Sequence, residues 1–468
     1  MIQLDRRRAA RDLLPKIARL FTLSGRKIQA IEETWRPEQG APVFTVRGRY
    51  QARGWTEWTQ GFQFGSALLQ FDATDEREFL ELGRLRTLER MAPHLTHMGV
   101  HDHGFNNVST YGNLWRLARE RRFSADDWEV RFYELALKVS GAVQARRWTP
   151  LPGGGFIYSF NGAHSLFVDT IRSLRALALG FVLGQRLMEE QDVDVSLLDR
   201  LVQHARATAE YNVYFGRGRD RFDIRGRVAH ESLFNVANGS YRGPSTQQGY
   251  SPFSTWTRGL AWAMLGFAEQ LEFIETLPDA ALDASSGRAA VESLMLDAAC
   301  ATCDHYIDVA AADGVPYWDA GAPGLAALDG WGDRPADPFN DREPVDSSAA
   351  AIAAQGLLRL ARVLRRPVSK NASHADGDRQ ADRYEQAGLR VLDTIFDEPY
   401  LSIDPAHQGL LLHSVYHWPN GWDYVPPGAS VPRGESSQWG DYHAREAALY
   451  VKRLAEDAPY LTFFGPRV

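Results

Sequence analysis

Apolar residues recur at spacings of three and four along most of the chain, as in helices that bury one face. The pattern predicts helices over Asp75–Met91, Asp126–Ala145, Ala163–Leu183, Ser196–Tyr214, Thr255–Phe273, Ala289–Val309, Ser347–Leu364 and Gln438–Leu454. Asp346-Ser347-Ser348, ahead of AAAIAAQGLLRLARVL, offers side-chain oxygens to the free N–H groups of a helix start. Strand signals are sparse. Val43–Tyr50 (VFTVRGRY) reads as one edge strand, and short hairpins fill some loops. Loops rich in Gly, Pro, Trp, Tyr and His separate the helices at 151–162, 230–252 and 417–440. Short links alternating with long decorated ones predict stacked helical hairpins, with the function-bearing loops gathered at one end. No parallel-sheet signature and no fixed-period repeat is present, so the expectation is an all-α fold. It is one closed (α/α) toroid spanning 1–468 rather than a solenoid. The polar, aromatic-free segment 367–382 is expected to be a mobile surface excursion within that domain.

Composition narrows the function. Aromatics make up 11% of the 468 residues, with 13 Trp and 17 Tyr. Such rings build either a large core or a cleft for flat, hydroxylated ligands. The net charge of −7 and the lack of a basic run argue against nucleic acid as a partner. No apolar run reaches the length of a membrane span and no secretory leader is visible, so a cytoplasmic protein is expected. Cys300 and Cys303 form a C-x-x-C inside a helical pattern, with no second pair to complete a zinc site. Two small buried residues are expected there.

Two carboxylates stand out. HDHGFNN (101–107) places Asp102 between His101 and His103 just ahead of a helix. Adjacent His-Asp-His side chains cannot easily aim at one ion, so no metal is expected. A hydrogen-bonded turn and a catalytic carboxylate both remain open. Asp169 lies among Phe167, Val168, Ile171 and Leu174. Buried there, it must be paired or protonated. It is salt-bridged to Arg172 or Arg175, or set on an exposed face, or a general acid whose pKa burial and a second carboxylate have raised. Two carboxyls made unequal by their surroundings suffice for glycosidic chemistry.

The order of motifs resembles the unsaturated glucuronyl hydrolases, glycoside hydrolase family 88, and more loosely the unsaturated rhamnogalacturonyl hydrolases. The resemblance rests on WTQGFQFG (58–65), HDHGF (101–105), VDTIRSL (168–174), HES (230–232), QQGYSPFSTWTRGLAW (247–262), VPYWDAGAP (315–323), DSSAAAIAAQGLL (346–358), GLLLHSVYH (409–417) and SSQWGDY (436–442). It implies an (α/α)6 barrel that needs no cofactor and acts on an acidic oligosaccharide. The reaction implied is removal of a 4,5-unsaturated uronic acid from the non-reducing end. Asp169 is the implied general acid/base and Asp102 its partner carboxylate. His101, His230, Gln248, Arg258 and Trp262 are implied substrate contacts, and Trp58 lines the same pocket. Arg258, between Trp256 and Trp262, suits a uronate carboxylate because a guanidinium can donate two parallel hydrogen bonds. His413, His417 and Trp439 are expected at the barrel mouth.

The chain departs from the family pattern at His103, Asn106-Asn107, Gly153–Gly155 and the 324–345 insertion. Extra polar groups near Asp102 would suit a hydroxyl that an unsaturated sugar lacks. A saturated glucuronidase on the same scaffold is therefore one alternative. A sugar epimerase using His230 with His413 or His417 is another, and a non-catalytic carbohydrate-binding protein a third. The number of subunits is left open.

Overall fold

Two kinds of helix alternate along the chain, and burial tells them apart. The computed structural model describes all residues except 5, 55–56, 367–373 and 466–468. The outer helices are α1 (Leu14–Thr34), α3 (Arg77–Arg90), α5 (Asp127–Arg146), α7 (Leu197–Ala207), α9 (Arg288–Val309) and α11 (His374–Ile395). Between them in sequence run the inner helices. These are α2 (Gln60–Thr74), α4, α6, α8 (Thr257–Glu275), α10 (Ser347–Leu364) and α12 (Gln438–Ala455). α4 runs from His103–Asn107 through a π-helical turn, Val108–Gly112, into Asn113–Arg119. α6 consists of Thr170–Ser173 and Arg175–Val182. An outer helix such as α1 buries one stripe, including Ile17, Leu20, Phe21, Ile28 and Ile31. An inner helix such as α8 is buried on every side from Thr257 to Ile274. Helices apolar all round belong in a core, and amphipathic ones belong around it.

Each inner helix packs on the next, and α12 returns to α2, so the ring is closed. The outer helices pack against it from outside, and the whole is an (α/α)6 barrel. Glycine lets the inner helices approach backbone to backbone. A Cβ at Gly104 would lie 2.2 Å from the Ser173 carbonyl oxygen, and one at Gly61 would lie 2.3 Å from that of Asn106. The barrel interior is also cross-linked by buried charge. Arg172 pairs with Glu269 and with Glu446, and Arg359 pairs with Glu272.

Strands occupy the connections. β1 (Pro42–Val46) pairs with β2 (Arg49–Ala52), β3 (Trp148–Leu151) with β4 (Gly154–Ile157), and β6 (Arg186–Met188) with β7 (Asp194–Ser196). β5 (Ser165–Phe167), β8 (Glu231–Phe234) and β9 (Tyr241–Ser245) form an antiparallel sheet in the order β5-β8-β9.

Two elements differ from the pattern reading. Val43–Tyr50 is a hairpin rather than one strand, because Arg47 and Gly48 both take positive φ and reverse the chain. Ala163–Leu183 starts as β5 and turns helical only at Thr170, because β8 takes up its backbone hydrogen bonds. The polar segment 367–382 falls partly on 367–373, outside the described residues, and the chain is helical from His374 onward. Cys300 and Cys303 are buried thiols on α9. No helix among the described residues is long and apolar enough to cross a membrane.

The Gly104 contact yields a direct test. Backbone cannot yield as a side chain can, so Gly104→Ala should cost about 1–3 kcal/mol or more in chemical denaturation. An unchanged unfolding midpoint would show that the α4–α6 contact is looser than described.

Candidate active site

Because outer and inner helices alternate, the inner helices all run the same way, and their N-terminal ends meet on one face of the barrel. Asp102, Asp169 and Trp256 are the residues just ahead of α4, α6 and α8. None of the three side chains caps its helix. Both carboxylates are therefore free to turn into the barrel mouth. The salt-bridge alternative for Asp169 fails, since Arg172 turns to Glu269 and Glu446, and Arg175 to Glu446.

The β5–β8 pairing fixes where Asp169 emerges. Phe167 stands opposite Glu231, and the Val168 N–H donates to the His230 carbonyl at 3.0 Å. Asp169 thus leaves the sheet beside His230. Across from it, Ser173 Oγ and Gln144 Nε2 donate to the His101 carbonyl at 2.7 and 2.8 Å, which pins the turn carrying His101 and Asp102. The His101 ring stacks on Phe160 at 5.9 Å. Its Nε2 lies 3.2 Å from Asp169 Oδ1 and 3.7 Å from Asp102 Oδ1. One buried imidazole nitrogen therefore faces both carboxylates.

This trio sorts its protons unevenly. Burial pushes Asp102 up to about 6, against the pull of His101 and helped by the charge of Asp169. Burial works against a charged His101, yet the Asp102 charge and the hydrogen bond with Asp169 raise its pKa overall. Burial also works to raise Asp169, but the His101 hydrogen bond and charge and the Arg258 charge hold it below the ordinary carboxylate value. The sequence expectation placed the raised pKa on Asp169. In the folded protein Asp102 carries it, because Asp169 has the closer contact with the imidazole.

A cavity of about 520 Å³ opens over the trio. His101, Asp102, Trp256, Arg258 and Trp262 form its buried lining, with Asp169, Trp58, Gln248 and Tyr416 alongside. Trp58 stacks on Trp439 at 5.0 Å and donates Nε1–H to Tyr416 Oη at 3.3 Å. Trp262 packs on Phe105 at 4.8 Å. The residues expected to act on or contact the substrate converge here, except for His230. His230 lies behind the wall, with its ring against Phe167 and Trp256 at 4.5 and 4.6 Å. Its Nδ1 accepts from the Gln247 N–H at 3.1 Å, which leaves the proton on Nε2, and burial lowers its pKa to about 4. It braces the loop that carries Gln248.

Arg258 also differs from its expected role. Its Nη1 donates to Asp346 Oδ2 at 2.8 Å and to the Val415 carbonyl. Its Nη2 donates to Gln248 Oε1 at 2.7 Å and to the Tyr416 carbonyl at 2.8 Å. Those four bonds use all four terminal N–H groups, so no free fork remains for a ligand carboxylate. The aromatic faces that hold it belong to Trp256 and Trp439, 4.7 and 4.9 Å from the guanidinium carbon, rather than to Trp262. Arg258 instead orients the Gln248 amide, with its oxygen toward the guanidinium and its NH₂ free for a ligand.

His103, Asn106 and Asn107 face away from the cavity. His103 meets Ser140 Oγ and the His97 carbonyl at 3.1 Å each. Asn106 and Asn107 bond to the turn carrying His94. His413 lies elsewhere, accepting from the Gly434 N–H at 3.2 Å and packing on Phe339 and Tyr400. Of the three residues expected at the mouth, only His417 lines the cavity. Sequence reasoning did not single out Arg53, Asn161, Tyr416, Asn420 and Trp422, which also line the cavity. Asn161, Asn420 and Trp422 lie in the decorated loops 151–162 and 417–440 and Tyr416 in the GLLLHSVYH motif, whereas Arg53 carried no signal. Asp423 folds the 417–440 loop by accepting the His417 N–H at 2.7 Å.

No protein-family model matches the chain. It is 26% identical over 410 residues to an unsaturated glucuronyl hydrolase of Bacillus sp. (strain GL1), covering 85% of this chain and 87% of the relative. It is 24% identical over 413 residues to an unsaturated chondroitin disaccharide hydrolase of Streptococcus agalactiae, covering 86% and 84%. The crystal structure of the Bacillus sp. GL1 enzyme superposes with a TM-score of 0.68 at 21% identity, over 94% of this chain and 97% of that one. Over most of its length the chain is similar to unsaturated glucuronyl hydrolases, and it shares their fold. The structure of the S. agalactiae unsaturated glucuronyl hydrolase has the same fold, with a TM-score of 0.65 at 20% identity over 97% and 98% of the chains.

In this barrel Arg258 neutralises a fully buried Asp346. Arg258→Ala should therefore cost about 3–5 kcal/mol of stability in denaturant titrations, because an unpaired carboxylate is left inside. A loss below about 1 kcal/mol would return Arg258 to the role of a ligand-binding cation.

Proposed function

We propose that the protein is a glycoside hydrolase that removes a 4,5-unsaturated uronic acid from the non-reducing end of short oligosaccharides made by polysaccharide lyases. The observation that carries the chemistry is one His101 nitrogen shared by Asp169 and Asp102 beneath the cavity. Relatives bind substrates of this kind. A Streptococcus agalactiae unsaturated glucuronyl hydrolase variant has been crystallised with dGlcA-GalNAc6S.

Asp169 gives its proton to C4 of the sugar's vinyl ether. Positive charge develops at C5 and the ring oxygen, and water adds at C5 while Asp169 takes a proton back. The hemiketal then opens, and the aglycone leaves from C1. In the free protein His101, whose pKa the two carboxylates raise, is the proton donor nearest Asp169. An anionic uronate that displaces water from the cavity raises the proton affinity of Asp169, and the His101 Nε2 proton crosses the 3.2 Å contact to it. Gln248 and the Trp58 and Trp262 rings position the sugar.

The rival readings lack their machinery. An epimerase needs two bases facing one carbon, yet His413 lies away from the cavity and His230 behind its wall. Burial also holds His230 and His417 at about 4. The polar groups that suggested a saturated substrate, His103 and Asn106, are spent on the turn. A pure binding protein has no use for two carboxylates buried against one imidazole. We place the reaction in the cytoplasm, a compartment that two unpaired thiols support.

Incubation with a lyase-generated disaccharide should abolish the ultraviolet absorbance of its C4=C5 bond. Asp169→Asn should stop that loss while leaving binding largely intact, and near-normal turnover by the variant would remove Asp169 from its role. The value of kcat/KM should fall as rising pH empties the trio of protons. Asp102→Asn should move that alkaline limb to lower pH, because the Asp102 charge helps keep His101 protonated. A limb that stays in place would uncouple Asp102 from the acid.

A further inference from the structure

Two cations line the cavity, and only one of them is free. Arg258 is buried, with its terminal N–H groups all donated within the protein. Arg53, on the connection between β2 and α2, is exposed and has no acidic partner among the described residues. Its guanidinium carbon lies 4.6 Å over the Trp422 ring. The aromatic face restrains the guanidinium at the rim and leaves its edge N–H groups open. Asn420 and Asn161 lie on the same lining. Among the described residues the only acids on this lining are Asp102 and Asp169, and these belong to the trio.

We propose that Arg53 is a specificity-determining residue that recognises an anionic substituent, a sulfate or a carboxylate, on the sugar following the uronate. This rests on the hydrolase reading above. A uronate ring seated over Asp169 lies at the buried end of the cavity, so the next sugar extends toward the exposed end, where Arg53 stands. A planar guanidinium takes either oxyanion by two parallel hydrogen bonds. Pre-placement on Trp422 reduces the ordering cost of that contact. It also provides local attraction for a polyanion on a protein whose net charge is −7.

The test uses two lyase-generated disaccharides that share the unsaturated uronate and differ only in a sulfate on the second sugar. The unmodified enzyme should favour the sulfated one in kcat/KM, and added salt should erode that preference. Arg53→Gln should lower the sulfated-to-unsulfated ratio about tenfold, one lost charge-assisted contact. Arg53→Lys and Trp422→Leu should lower it less, since the first keeps charge without the fork and the second keeps the fork without its platform. An equal ratio in the unmodified enzyme and Arg53→Gln, with both substrates turned over, overturns the assignment of Arg53 and leaves the hydrolase reading standing. Turnover of neither disaccharide by the unmodified enzyme overturns that reading, and this inference with it.

Discussion

Two carboxylates and an imidazole buried together cannot all stay charged without cost, and the site is organised around that constraint. Asp102 and Asp169 meet the same nitrogen of His101 under a cavity lined by aromatic rings. At least one proton must be held among the three for the arrangement to persist away from water. An acid that must donate to carbon at neutral pH needs such a store. The closer contact goes to Asp169, whose pKa is held below the ordinary carboxylate value.

The barrel makes this geometry possible. Parallel inner helices bring the residues ahead of α4, α6 and α8 to one face, and glycine contacts such as Gly104 against Ser173 keep the ring narrow. The β5–β8 pairing then sets the height at which Asp169 leaves the sheet. Arg258 ties four separate segments together at Asp346, Gln248, Val415 and Tyr416. Its charge also bears on Asp169, so structural and electrostatic roles meet in one side chain.

Much of this was legible in the chain. Helical periodicity and the absence of parallel-strand runs pointed to a closed helical toroid. The ordered motifs led to the cavity through Trp58, His101, Asp102, Asp169, Gln248, Arg258 and Trp262. Asp346 read correctly as a helix cap, and its Oδ1 accepts the Ser348 N–H at 3.0 Å. Its second partner, Arg258, lies 88 residues away, and no local pattern encodes such a pair. The same limit hid the stacking of Trp439 on Trp58, the way Asp423 folds the 417–440 loop and the rim position of Arg53. The site of the raised pKa was hidden for a related reason. It depends on half an ångström of difference between two His101 contacts, which motif spacing does not contain. The Ala163–Leu183 stretch misled because a periodic apolar run fits a strand followed by a helix as well as one helix.

Direct titration of the His101 imidazole by nuclear magnetic resonance, assigned by comparison with His101→Asn, tests the proton store itself. A pKa above the ordinary histidine value of 6.5, falling when Asp102 is replaced by Asn, is the predicted result. A His101 that titrates at or below 6.5 and ignores the loss of Asp102 would contradict the shared-proton account.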